Sequence, residues 1–344
     1  MKKAILFFVS LVLITTIITG CSVGTSASKD YDTITIVWYP NESGSDLKGA
    51  RDEIGSVIEE ATGKKVEHQL TTDYSIAIEA IANNKAHLAF MGPIGYVEAN
   101  QKNAKVLPLV VPTGKSGTLE DAVYHSWLTV NKGEESNYQS GGNYTIDNVQ
   151  GKRMSFVSNS STSGFVVPTA GIISHFSKIP QWSKIESEDL LEGGANKFFS
   201  EVVFGGSHQG SAVNLLNGTV DISAVCDTCI GNYIELASGE VNKVGAVYKV
   251  RQDAAEPFNN LGGKEFVLIS VTPVLNSPFA VNTSVLNEED MNSIISAITS
   301  EEVANNEKIF VPKGSEFKGL FPKAGSERFV SVEDSWFNPI RELR

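Results

Sequence analysis

Residues 158–168 read Ser-Asn-Ser-Ser-Thr-Ser-Gly-Phe-Val-Val-Pro, and here the chain concentrates side chains able to hold an anion. The string follows a β-rich run (153–157) and precedes a helical one (167–176). Hydroxyls at such a junction cap the helix and leave backbone N–H groups facing outward. A helix N-terminus with spare donors, at the positive end of the dipole, suits an oxyanion. Gly164 permits close approach of backbone to a ligand, and Pro168 lacks an N–H where that loss costs least. The same residues also fit a Ser-rich capped loop with no ligand.

Other candidates are scattered. His208 sits in the Gly-rich turn Gly205-Gly206-Ser207-His208-Gln209-Gly210. Asp227 lies inside Cys226-Asp227-Thr228-Cys229, whose thiols could be a redox pair, half a metal site or a local disulfide. Trp38, Tyr39, Tyr74, Tyr96, Tyr124 and Trp127 fall at strand ends or helix starts. Core packing accounts for most of these; Tyr74 and Tyr96 best fit a cleft.

The elements that must position these residues alternate. Strands are expected at 33–39, 65–70, 87–91 and 106–111, with helices at 47–62 and 74–83 and another starting at 96. This order predicts a largely parallel sheet covered by helices. A strand at 126–130 and a polar loop at 131–148 follow. Then comes a second α/β unit, with strands at 153–157, 201–204 and 220–225 and helices at 167–176 and 211–216. Segments 80–90 and 213–223 echo each other as helix end, polar turn and buried strand, which supports two units of one design. The segment 288–305 is helical, and the C-terminal part is expected to return to the first unit. The division predicted is a first lobe from 33–127 and 280–344, and a second from 128–279.

The chain of 344 residues is 41% hydrophobic and 20% charged, an ordinary globular composition that excludes wholesale disorder. With 28 Lys+Arg against 40 Asp+Glu, its net charge of −12 argues against nucleic acid, which needs a basic face. Small anions stay open, since exposed charges beyond ~8–10 Å are screened. Lys2 and Lys3 precede an apolar run (4–18) too short to span a bilayer, the pattern of a signal peptide at 1–20. Ile17-Ile18-Thr19-Gly20-Cys21 resembles a bacterial lipobox, which implies cleavage before Cys21 and a lipid on its sulfur. A tether at 21–32, rich in Gly and Ser to residue 29, follows. The expected location is outside the cell membrane, anchored by that lipid. An oxidising setting favours a structural disulfide between Cys226 and Cys229, and no metal or cofactor is expected.

Ser161-Thr162-Ser163-Gly164-Phe165-Val166-Val167-Pro168 resembles the S-T-S-G-x-x-x-P signature of phosphonate-binding proteins of ABC importers, within a wider phosphate, phosphite and phosphonate binding family. The order of other segments agrees across the mature chain: Asp73-Tyr74, Gly92-Pro93-Ile94-Gly95-Tyr96, and Tyr124 to Lys132 as a crossing strand. The resemblance implies an α/β, type II-like periplasmic-binding fold with a cleft between two lobes. The ligand's oxygens would be held by Ser161, Thr162 and Ser163, with His208 and Tyr124 or His125 nearby. A permease would be the partner. In aminoethylphosphonate binders an acid near Asp227 receives the amino group, though Thr228 is as close by spacing. The second acid of those binders precedes a proline, where this chain has Asn276-Ser277-Pro278. That leaves phosphite, methylphosphonate, phosphate or another small oxyanion open. Rival readings are an aromatic cage for a quaternary ammonium, a serine hydrolase using Ser161 or Ser163 with His208, and a surface lipoprotein that binds no small molecule.

Overall fold

The computed structural model describes residues 31–343. The signal peptide, Cys21 and nearly all of the tether lie outside the described residues. Among the described residues no helix is long and apolar enough to cross a membrane.

Two sheets organise the chain. The first has six strands in the order Phe329–Ser331, Val106–Pro112, Phe279–Asn282, Leu88–Phe90, Thr33–Trp38, Lys65–Leu70. Thr33–Trp38 pairs in parallel with both Lys65–Leu70 and Leu88–Phe90. The expected parallel sheet is nevertheless interrupted. Phe279–Asn282 returns from the second unit and inserts antiparallel between Leu88–Phe90 and Val106–Pro112. Helix order along the first hundred residues cannot announce a strand that arrives so late in the chain. Alternation sorts the faces: Ile34, Ile36 and Trp38 pack against Ile54, Ile58 and Ile294, while Val37 and Tyr39 pack with Tyr74, Ala77 and Ile94.

The second sheet has seven strands in the order Ile234–Ser238, Val247–Val250, Glu265–Leu275, Val123–Asn131, Ile222–Cys226, Arg153–Phe156, Glu201–Phe204. The expected lobe borders at 127/128 and 279/280 both fall inside strands. Val123–Asn131 lies whole in the second sheet and Phe279–Asn282 whole in the first. The chain crosses between sheets at 113–122 and at 276–278, where Asn276 N–H donates to the Ala122 carbonyl at 2.9 Å. The echoed segments occupy matching places. Leu88–Phe90 and Ile222–Cys226 each follow a helix, and each pairs with one parallel and one antiparallel neighbour.

Helices Tyr74–Ala82, Pro93–Lys102 and His208–Leu216 start at the ends of strands or just beyond them. The last two begin earlier than their apolar periodicity indicated. Pro93 starts one helix without needing a donor, and Ser207 caps the other by accepting from Gly210 N–H. His208 is therefore the first residue of a helix rather than part of the turn before it.

Candidate functional site

Four helix starts meet at the seam between the two lobes. The Ser161 side chain accepts from Gly164 N–H at 3.1 Å and caps a single π turn, Thr162–Val166, which runs on into the α-helix Val167–Phe176. Val166 N–H donates to the Ser161 carbonyl, the five-residue step of that turn. A β-carbon on Gly164 would overlap Val157, so this glycine serves the packing of the turn on its strand rather than access to a ligand. Ser161, Thr162 and Ser163 are all buried.

Thr162 reaches the other lobe. Its Oγ1 accepts from Ile94 N–H at 2.9 Å, in the first turn of Pro93–Lys102. Asn41, just past the end of Thr33–Trp38, makes the second bridge. Its Nδ2 donates to the Tyr74 hydroxyl at 2.6 Å, its Oδ1 accepts from His208 N–H at 3.0 Å, and its carbonyl accepts from Gln209 Nε2 at 3.0 Å. Starts of helices from both lobes are thereby pinned within a few hydrogen bonds of one another, each presenting its positive end.

The side chains here are neutral. His208 Nδ1 accepts from Cys226 N–H at 3.0 Å, so its proton sits on Nε2, 3.4 Å from Ser161 Oγ. Burial lowers its pKa to about 3, and the ring stays uncharged at neutral pH. Burial likewise raises Tyr74 and Tyr124, which remain phenols. Tyr124 lies beside Ser163 and Thr162, and Tyr74 beside Ser161. Tyr39 packs on Tyr74 at a 35° tilt with ring centroids 4.1 Å apart. Its buried hydroxyl has no hydrogen-bond partner and rests against Gly95, at the same helix start as Ile94.

Three predicted site residues are used elsewhere. Tyr96 is fully buried, packs on Phe337 and hydrogen-bonds Asp334, so it belongs to the core beneath the C-terminal segment. Asp227 is engaged by protein partners on both oxygens. Its Oδ1 accepts from the backbone N–H groups of His125 and Thr228 at 2.9 and 2.8 Å, and its Oδ2 meets His125 Nδ1 and Asn242 Nδ2 at 2.9 and 3.1 Å. His125 is engaged with Asp227 and Asn242, because strand alternation sends it opposite to Tyr124 and Ser126. Cys226 and Cys229 are disulfide-bonded. Asn41, Glu42 and Gln209 were not anticipated; a polar run directly after a buried strand, Pro40-Asn41-Glu42, was the available signal.

Two lobes joined by two crossings, with buried donors at their seam, define the architecture of a solute-binding protein. The family of periplasmic substrate-binding proteins of phosphonate ABC transporters matches residues 36–337, and the chain belongs to it. A phosphate-import protein PhnD of Mycolicibacterium smegmatis is 31% identical over 209 residues, which are 60% of this chain. The match spans 59% of that relative's length. Among solved structures, a binding component of an ABC phosphonate transporter from Pseudomonas aeruginosa superposes with a TM-score of 0.60 at 17% identity, over 91% of this chain and 86% of that one. PhnD1 of Prochlorococcus marinus in complex with methylphosphonate gives 0.61 at 15% identity, over 91% and 97%. These two likenesses establish the shared fold.

Proposed function

We propose that the protein captures a small tetrahedral phosphorus oxyanion (a phosphonate, phosphite or phosphate) by closing its lobes, and hands it to the permease of an ABC importer. Ser161, Thr162, Ser163, His208, Tyr74 and Tyr124 are its ligand donors. The observation that carries the reading is the junction of helix starts tied by Ile94–Thr162 and by Asn41 to Tyr74 and His208. Such a junction offers hydrogen bonds and dipoles without a counter-ion. Cleavage before Cys21 and attachment of a lipid there would hold the protein outside the membrane, beside its permease.

The chemistry argues against an enzyme. A base for Ser161 needs a lone pair on the facing nitrogen, but His208 commits its lone pair to Cys226 and turns an N–H toward Ser161. An aromatic cage is also disfavoured, because Tyr39 and Tyr74 are buried against each other and Tyr96 lies in the core.

The test is calorimetric titration with methylphosphonate, phosphite, phosphate and choline. Binding of at least one phosphorus oxyanion is expected, with choline silent and Ser163→Ala costing ~10-fold or more. Choline binding without oxyanion binding would sink the reading.

A further inference from the structure

The donors described so far suit an anion, but two side chains beside them each bring a buried oxygen that can accept. Glu42 follows Asn41 and is 8% exposed, and its Oε2 has no hydrogen-bond partner. Gln209 follows His208 and is 6% exposed. Its Nε2 is spent on the carbonyls of Asn41 and Cys229, at 3.0 and 3.1 Å, and its Oε1 has no partner. One residue belongs to each lobe, and Asn41 ties both to the seam that holds Tyr74 and His208. Arg51, a buried cation on the helix Lys48–Thr62 that follows, serves the backbone carbonyls of Glu42 and Gly44 rather than the carboxyl group. Two further acids near the seam are already engaged: Asp227 has both oxygens occupied, and Asp46 accepts from the Tyr233 hydroxyl.

An amide oxygen can only accept, and a buried acceptor left unmet is costly. A fully ionised anion such as sulfate brings acceptors alone, whereas a ligand carrying O–H or N–H can satisfy these oxygens. Building on the oxyanion reading, we propose that Glu42 and Gln209 form an acceptor half of the cleft that selects small phosphorus oxyanions bearing a hydrogen-bond donor of their own. That donor is a protonated phosphorus oxygen or an aminoalkyl group. Burial pushes the Glu42 carboxyl up to about 8, so at neutral pH no charge there repels the anion, and the neutral acid keeps one acceptor oxygen beside its O–H.

Calorimetry of the full chain at mildly acidic pH tests this with methylphosphonate, aminoethylphosphonate, methanesulfonate and sulfate. The wild type is expected to favour the two phosphonates by ~10-fold or more, and Glu42→Met to shrink that ratio ~10-fold. Glu42→Gln keeps an acceptor oxygen and should recover most of the lost ratio. Gln209→Leu gives a second reading if Glu42→Met does not fold. A loss confined to aminoethylphosphonate assigns the donor to the amine; a loss shared with methylphosphonate assigns it to the phosphorus hydroxyl. Equal losses for all four ligands, or wild-type binding of methanesulfonate as tight as methylphosphonate, would overturn the proposal. Failure of every oxyanion to bind would instead remove the reading on which it rests.

Discussion

His208 is a donor because the backbone N–H of Cys226, at the end of the next strand, takes its lone pair, and burial keeps it neutral. The same burial acts on Glu42 with opposite sign. Its pKa rises from 4.5 to about 8. Below 4.5 the folded and unfolded chains both hold the proton. Between 4.5 and about 8 only the folded chain keeps it, so stability falls as pH rises and the loss is complete above about 8. His208 falls from 6.5 to about 3, so its contribution is lost as pH drops through that window. Thermal melts should therefore show the stability of the wild type relative to Glu42→Gln declining from mildly acidic to mildly alkaline pH. A difference independent of pH would contradict the assignment. At Asp227 the four contacts argue for a loop-holding role. Asp227→Ala should destabilise by ~1–3 kcal/mol and weaken methylphosphonate and aminoethylphosphonate alike. A loss selective for the amino ligand would restore Asp227 as a ligand contact.

Helix starts are the unit in which the site is built. The π turn Thr162–Val166 sets Thr162 where its hydroxyl meets Ile94, and Gly95 leaves room for Tyr39. A methyl group at Gly95 would overlap the Tyr39 hydroxyl, and packing on Tyr74 denies that ring an easy retreat. Gly95→Ala should cost ~1–3 kcal/mol by denaturant unfolding, and Tyr39→Phe in the same chain should return much of it. Additive losses in the double variant would place the strain elsewhere. The Ser-Thr-Ser-Gly string was legible because hydroxyls before an apolar helix have a local reason to be there. Tyr96 misled for an equally local reason: its position in a helix start says nothing about the C-terminal segment that covers it.

At the scale of the whole molecule, few bonds hold the seam. Ile94 to Thr162, Asn41 to His208 and Gln209, and Tyr233 to Asp46 at 2.9 Å join lobes that the chain connects only at 113–122 and 276–278. On the proposed function, closure over a ligand would be a rotation about these two connections. Small-angle scattering should show the radius of gyration shrinking when a bound oxyanion is added. Asn41→Ala should shift the free protein toward the expanded form, because it removes two side-chain bonds of the seam at once, one to Tyr74 and one to His208. Indistinguishable profiles with and without ligand would exclude lobe closure.

Alternating strands and helices, the echo between 80–90 and 213–223, the acidic balance and the anion-suited helix start could all be read along the chain, since each depends on neighbours within a few turns. Which side chains share the seam depended on contacts between distant segments. Asn41 meets His208 across 167 positions, the return strand splits the first sheet, and Asn242 and His125 engage Asp227. Local periodicity fixes what a segment can form and which face it buries. Only packing of the completed lobes decides which buried polar groups find partners in the protein and which are left for a ligand.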